Sequence, residues 1–187
     1  MMLSRRAFVL GAPCALAACS AEAVWAPDDV VKAATYFSPQ TSALRLYTVR
    51  NSGSDNGAHT ALMIDASERV LFDPAGSFSA QGVPERNDVL HGFSPQAEII
   101  YRSYHARTEY YMIWQTTAVP ASVAEQALQL AKANGAVPRA SCTRATSNIL
   151  KQLPGFEHVR TTWFPDNLSK DFGKRPDVVT EELREFD

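Results

Sequence analysis

His59-Thr-Ala-Leu-Met-Ile-Asp65 and Arg69-Val-Leu-Phe-Asp73 are the two runs that decide the fold. Three residues separate them, so they read as two strands joined by a tight turn. Both are apolar on successive positions rather than alternate ones, which is the pattern of strands buried on both faces. The hairpin therefore belongs at the centre of a sheet, covered above and below.

Working outward, Ala43 to Arg50 alternates and reads as a strand, and the polar, glycine-containing stretch Asn51 to Ala58 turns the chain into the hairpin. Downstream, Pro74 to Pro95 is a long Gly/Ser/Pro-containing loop, of a length that usually serves function. Glu98 to Tyr104 and Tyr110 to Thr117 read as two further strands. Pro120 to Asn134 is predicted as a helix, with Val123, Ala127, Leu128, Leu130 and Ala131 near one face and Asn134-Gly135 as its stop. Ser141 to Leu153 is predicted as a second helix, capped by its serine and ended by Pro154-Gly155, and a short helix runs from Leu168 to Phe172. The charged tail from Lys174 is expected to be peripheral. The fold class is α+β: an antiparallel sheet of four to six strands with helices packed against it.

The N-terminus carries a different message. Arg5 and Arg6 precede a short apolar run from Ala7 to Ala18. This is the layout of an export signal, and the run falls short of the roughly 20 apolar residues that span a bilayer. Leu16-Ala17-Ala18-Cys19 resembles a bacterial lipobox, which implies cleavage after residue 18 and diacylation of Cys19. Ser4-Arg5-Arg6-Ala7-Phe8-Val9 resembles the twin-arginine export motif. The expected organisation is a lipoprotein signal peptide over 1–18, a lipid-anchored tether over 19–40 with a short helix near Pro27-Asp28-Asp29, and one domain over 41–187. Ser20 after the cysteine resembles the sorting pattern for the outer membrane, so the expected location is the periplasmic side of the cell envelope.

About 170 residues after cleavage suffice for one domain with a sizeable core. The chain is 45% hydrophobic and 20% charged with a net charge of −2, an ordinary globular composition without the basic excess that nucleic acid requires. No two of His59, His91, His105 and His158 stand three or four apart, so no metal site is expected, and no cofactor is implied.

Once Cys14 and Cys19 are assigned to the signal and the lipid, Cys142 is left without a disulfide partner in an oxidising compartment. It falls at the first or second position of its predicted helix. There the unpaired N–H groups and the positive end of the dipole stabilise a thiolate and offer half of an oxyanion hole. His59, at the start of a central strand after a flexible loop, is the natural base. His91, His105 and His158 sit in loops or at element ends and read as structural. Tyr101, Tyr104, Tyr110, Tyr111 and Trp114 read as sheet packing, with groove lining as the alternative.

GAHTALMID followed by FDPAG resembles the histidine motif of the papain-like NlpC superfamily, and SCTRATSNIL resembles its cysteine helix. The order, histidine before cysteine, is similar to the circularly permuted branch that includes lecithin:retinol acyltransferase-like proteins and bacterial lipoproteins related to amidases and cell-wall peptidases. FPDNLSKDF resembles the closing motif of several members, with Phe164 in place of Thr. The resemblance covers roughly His59 to Phe172 and implies Cys142 as nucleophile and His59 as general base.

It also implies a third polar residue on the strand after the histidine strand, where Asp73 is the candidate, with Gln115 and the backbone as other options. If Asp65 pairs with Arg69, positions 59 and 73 share a face, whereas a one-residue slip separates them. Tyr47 is a candidate second oxyanion donor. Arg144, outside the family pattern, could bind a substrate carboxylate or phosphate. Many members carry Asn or Asp before the cysteine, where this chain has Ser141.

These readings imply a lipid-anchored cysteine hydrolase cleaving amide bonds, with peptidoglycan stem peptides as the foremost substrate. The same residues would serve a lipid acyl hydrolase or acyltransferase, which an apolar groove favours. A non-catalytic envelope lipoprotein with a binding or assembly role is the reading from another class, and it requires Cys142 and His59 to be buried apart.

Overall fold

A computed structural model of the protein describes residues 23–186. The expected signal peptide over 1–18, with Cys14, and the expected lipidation position Cys19 lie outside the described residues.

Helix α1 (Asp28–Ala34) precedes strands β1 (Ala43–Asn51), β2 (Gly57–Asp65) and β3 (Arg69–Phe72). The short strands β4 (Glu85–Arg86) and β5 (Val89–Leu90) lead to α2 (Pro95–His105) and β6 (Tyr110–Ala118). The chain continues through α3 (Ala121–Ala133), α4 (Cys142–Leu150), α5 (Pro165–Phe172) and β7 (Val179–Leu183). The seven strands form one open sheet in the order β4-β5-β3-β2-β1-β6-β7, and neighbouring strands run antiparallel. The architecture is α+β, and β2 stands in the middle of the sheet.

The two faces of the sheet bury different cores. Leu44, Leu46, Leu62, Ile64 and Phe72 pack against α3, α4 and α5. On the other face Tyr47, Ala61, Met63 and Leu71 pack against Phe78, Phe93 and Tyr101. Double coverage explains why β2 and β3 are apolar at successive positions: each fully buried Leu, Ile or Phe contributes about 1.5–3 kcal/mol whichever way it points. Among the described residues no helix is long and apolar enough to cross a membrane.

Three sequence expectations are corrected. The segment expected as a strand over Glu98–Tyr104 lies within α2. Ser94 caps this helix, accepting the Ala97 N–H at 3.3 Å, and Pro95 occupies its first turn. The run Ile99-Ile100-Tyr101 imitates a strand, but Ile99 and Ile100 are 52% and 44% exposed, while Ala97, Glu98 and Tyr101 face inward. Glu98 receives hydrogen bonds from Arg45 and, at 2.8 Å, from the Tyr47 hydroxyl, and these bonds fasten α2 to the sheet.

The second is a missed strand: the charged tail is peripheral, as expected, but it adds β7 along β6 at the sheet edge, with Trp114 Nε1 donating to Glu181 at 2.7 Å. Its charged residues suit an exposed edge strand. The third is the strand count. With β7 and the β4–β5 excursion inside the 74–95 loop, the sheet has seven strands rather than four to six.

Candidate active site

Two chain reversals bring the chemistry together. At one, Ala140 takes a left-handed backbone (φ +62°) and Ser141 breaks from extended geometry, so that α4 begins at Cys142. The Ser141 carbonyl accepts the first helical bond from Ala145 at 2.9 Å, but its hydroxyl makes no cap bond. Cys142, Ala145, Thr146, Ile149 and Leu150 are buried along one helical stripe, which lies against β2.

At the other reversal, β2 begins with an irregularity. Val49 pairs with His59 but Arg50 pairs with Gly57, which leaves Ala58 as the extra residue of a bulge. Gly57 is required here because a Cβ would come within 2.6 Å of the Pro165 Cβ. Its N–H donates to Asp166 at 3.0 Å, locking the start of α5 to the start of β2.

The two starts meet directly. The Thr60 and Thr143 hydroxyls are 3.1 Å apart, and the Cys142 sulfur lies 3.8 Å from the same Thr143 hydroxyl. The Cys142 thiol and the His59 side chain are close enough that each shifts the other's pKa. On the far side of that ring, His59 Nε2 lies 2.7 Å from Asp73 Oδ1, so Nδ1 is the nitrogen left for Cys142. Asp73 is 3% exposed and accepts a second hydrogen bond at the same oxygen from the Tyr101 hydroxyl at 3.0 Å. Gly76 lies beneath this carboxylate, close enough that a Cβ there would stand 2.0 Å from Oδ2.

The charges follow from these contacts. Burial works to lower the His59 pKa, but the Asp73 carboxylate outweighs it and Cys142 adds to the effect, raising it to about 10. Burial works to raise the Cys142 pKa, but the hydrogen bond and charge of His59, with the Thr143 hydroxyl and Thr60 N–H, hold it below its ordinary value. Asp73 is likewise held low: burial opposes its charge, and His59 and Tyr101 overcome that opposition. These contacts favour a thiolate–imidazolium pair backed by a carboxylate over the neutral thiol and imidazole, the direction that suits a nucleophile and its acid.

His105 belongs to this site although the sequence reading set it aside as structural. Its ring stacks on His59 with centroids 5.7 Å apart and planes 22° from parallel. Burial, together with the positive His59, lowers its pKa to about 4 despite the pull of Asp73, so it stays neutral. Tyr101, expected as sheet packing, holds Asp73 through its hydroxyl. Both would have been found by reading Ser94-Pro95 as a helix start, because positions 98, 101 and 105 then share one helical face.

A groove of about 360 Å³ opens beside His59, walled by Val49, Ala58, Ser77, Tyr104, His105 and Tyr110. A larger hollow of about 700 Å³ between α1 and the 80–84 loop has no histidine or cysteine in its walls, so size alone does not mark the site. Among the described residues no group of three His, Cys, Asp or Glu side chains is placed to hold a metal ion.

The remaining candidates lie elsewhere. The Tyr47 hydroxyl is fully buried and bonds Glu98, so it is engaged in holding α2. Arg144 projects outward with its guanidinium 5.1 Å from the Trp163 ring centroid. Gln115, on β6, accepts a hydrogen bond from Ser169 at 2.9 Å. The structure thus brings together Cys142, His59 and Asp73 and leaves Tyr47, Arg144 and Gln115 outside that cluster. Comparison with protein-family models, with curated proteins and with solved structures returned no match to this chain.

Proposed function

We propose that this protein is a cysteine hydrolase that works by acyl transfer in a permuted papain-like, NlpC-like arrangement. One observation carries the reading: the Cys142 thiol, at the first turn of α4, interacts with a histidine whose Nε2 is held 2.7 Å from the buried Asp73, and each of the two shifts the other's pKa. The chain order, with the histidine strand first, the carboxylate strand next and the cysteine helix last, supports the permuted form.

In this reading the Cys142 thiolate attacks the substrate carbonyl carbon, and the carbonyl electron pair moves onto oxygen. The N–H groups of the first turn of α4 have no intrahelical acceptor and are available to that oxyanion. As the tetrahedral intermediate collapses, the carbon–nitrogen bond breaks and the His59 Nδ1 proton passes to the departing amine. Water then attacks the thioester, His59 takes its proton, and the thiolate leaves. Asp73 holds the ring and its charge throughout.

The sequence of residues 1–19 supports export and lipid attachment at Cys19, and with it a place on the periplasmic side of the envelope. Peptidoglycan stem peptides are the amide substrates at hand there. The test is to incubate the chain lacking 1–18 with purified peptidoglycan and follow released peptides by mass spectrometry, with Cys142→Ala and His59→Ala as controls. Products that vanish in both variants support the reading, and a wild-type protein that releases nothing argues against this substrate. The apolar walls Val49, Ala58, Tyr104 and Tyr110 favour the second reading, a lipid acyl ester at the same residues. Fatty acid released from phospholipid vesicles would select it.

A further inference from the structure

His105 makes an unusual contact for a side chain that the proposed chemistry does not use. It ends the face of α2 that begins at Glu98, the residue anchoring that helix to Arg45 and Tyr47, and continues through Tyr101. One flat side of its ring covers His59 at 5.7 Å, nearly parallel. Its edges meet Tyr101 (4.7 Å, 69°) and Tyr104 (4.9 Å, 88°), so neighbouring rings fix its orientation. Its Nε2 is buried without a hydrogen-bond partner.

We propose that His105 is the positioning residue for His59: a flat, neutral ring that caps the exposed face of the imidazolium and holds it in the plane joining Asp73 to Cys142. This rests on the Cys142–His59 reading above and deepens it. Two points fix His59 in its plane, the Asp73 carboxylate at Nε2 and the Cys142 sulfur. Neither resists tilting of the ring out of that plane into the groove that opens beside it. The stack supplies that restraint. A neutral aromatic face against a cation is attractive, whereas a second charge would repel it. The groups facing the pair are Asp73 from the end of β3, Cys142 from α4, Tyr101 and Tyr104 from α2, and Arg107 and Tyr110 along the groove. Asp73 is the one carboxylate among them, and His59 takes its charge.

The experiment measures alkylation of the full chain by iodoacetamide from pH 4 to 9, read by mass spectrometry at the peptide containing Cys142. It compares the wild type with His105→Phe, His105→Leu and His105→Ala, with thermal melts reporting folding. The Phe variant keeps a flat neutral ring, and the Leu variant keeps bulk without a face. The expected result is a wild-type profile for Phe. For Leu and Ala the midpoint should rise by about one pH unit, which is about a tenfold loss of rate below it. A Leu profile equal to wild type would reduce the role to filling space and overturn the proposal. A Phe variant as impaired as Ala would overturn it as well, by assigning the role to a ring nitrogen. If Ala fails to fold, the Phe–Leu contrast decides. The underlying Cys–His reading fails separately, through a wild-type thiol that does not react or that ignores His59→Ala.

Discussion

Asp65 pairs with Arg69 across the β2–β3 turn, and this register carries His59 and Asp73 to the same face of the sheet. The carboxylate reaches the imidazole at 2.7 Å because positions 61 and 73 would continue the ladder, with His59 two residues beyond on the same side. Arg69 secures that register by donating to the Asp65 carboxylate at 2.7 Å, with both side chains buried. A single inserted residue in the turn would leave every strand intact and dismantle the site.

Asp73→Asn is the first consequence. The variant keeps the side-chain shape and removes the charge that raises His59. The His59 pKa should fall from about 10 toward its ordinary value, and the Cys142 thiol should rise. Alkylation of Cys142 at pH 7 should drop by about ten- to a hundredfold, equivalent to one to two pKa units. An unchanged rate would remove Asp73 from the site.

Gly76→Ala should act on the same carboxylate from beneath, since the new Cβ would stand 2.0 Å from Asp73 Oδ2 and 2.4 Å from its Cγ. The chain or the carboxylate must shift, at about 1–3 kcal/mol for overpacking. Thermal unfolding and Cys142 alkylation should both suffer. Gly53→Ala, whose Cβ would meet nothing closer than Asn51 Oδ1 at 3.4 Å, is the control and should melt as the wild type does.

Glu98→Ala should detach the helix that delivers Tyr101 and His105. It leaves Arg45 without its carboxylate partner and Arg69, whose Nη1 is now 3.7 Å from Glu98 Oε2, with Asp65 alone. Removing one partner of such a buried set costs about 3–5 kcal/mol. Amide exchange should quicken across 95–105 ahead of α3 and α4. Uniform exchange across all three helices would contradict the anchoring role.

Stability should depend on pH through two histidines of opposite sign. His59 is raised to about 10, so its contribution is complete below about 6.5 and is lost as pH climbs through 10. His105 is lowered to about 4, so its contribution is complete above 6.5 and is lost as pH falls toward 4. Asp88, raised to about 6 by burial, opposes the acid loss because its folded form gains a proton first. The comparison with His105→Phe isolates the histidine: the wild-type denaturant midpoint should fall progressively below that of Phe as pH drops from about 6.5 to 4. Parallel curves from pH 7 to 4 would contradict a neutral, buried His105.

Much of this site was legible in the sequence. The apolar runs of β2 and β3, the alternation of β1, and the helix stop at Asn134-Gly135 each announce their element locally, and Cys142 stands out as an unpaired thiol at a helix start. What escaped depended on distant partners. Ile99-Ile100-Tyr101 looks like a strand until Ser94-Pro95 is weighted as a helix start and Glu98 is matched with Arg45 and Tyr47 on β1. His105 and Tyr101 were lost with that helix. β7 is polar and owes its place to the free edge of β6, which no local pattern reveals. Tyr47 looked like an oxyanion donor because it precedes the histidine strand, but its alternation points it toward Glu98.

The most direct test of the central claim is the rate of Cys142 alkylation by iodoacetamide against pH, in the wild type and in His59→Ala. A thiolate–imidazolium pair predicts a wild-type midpoint well below the free-thiol value of about 8.5, and its return to that value when His59 is removed. A thiol that reacts only after unfolding, or a midpoint that does not move in His59→Ala, would contradict it.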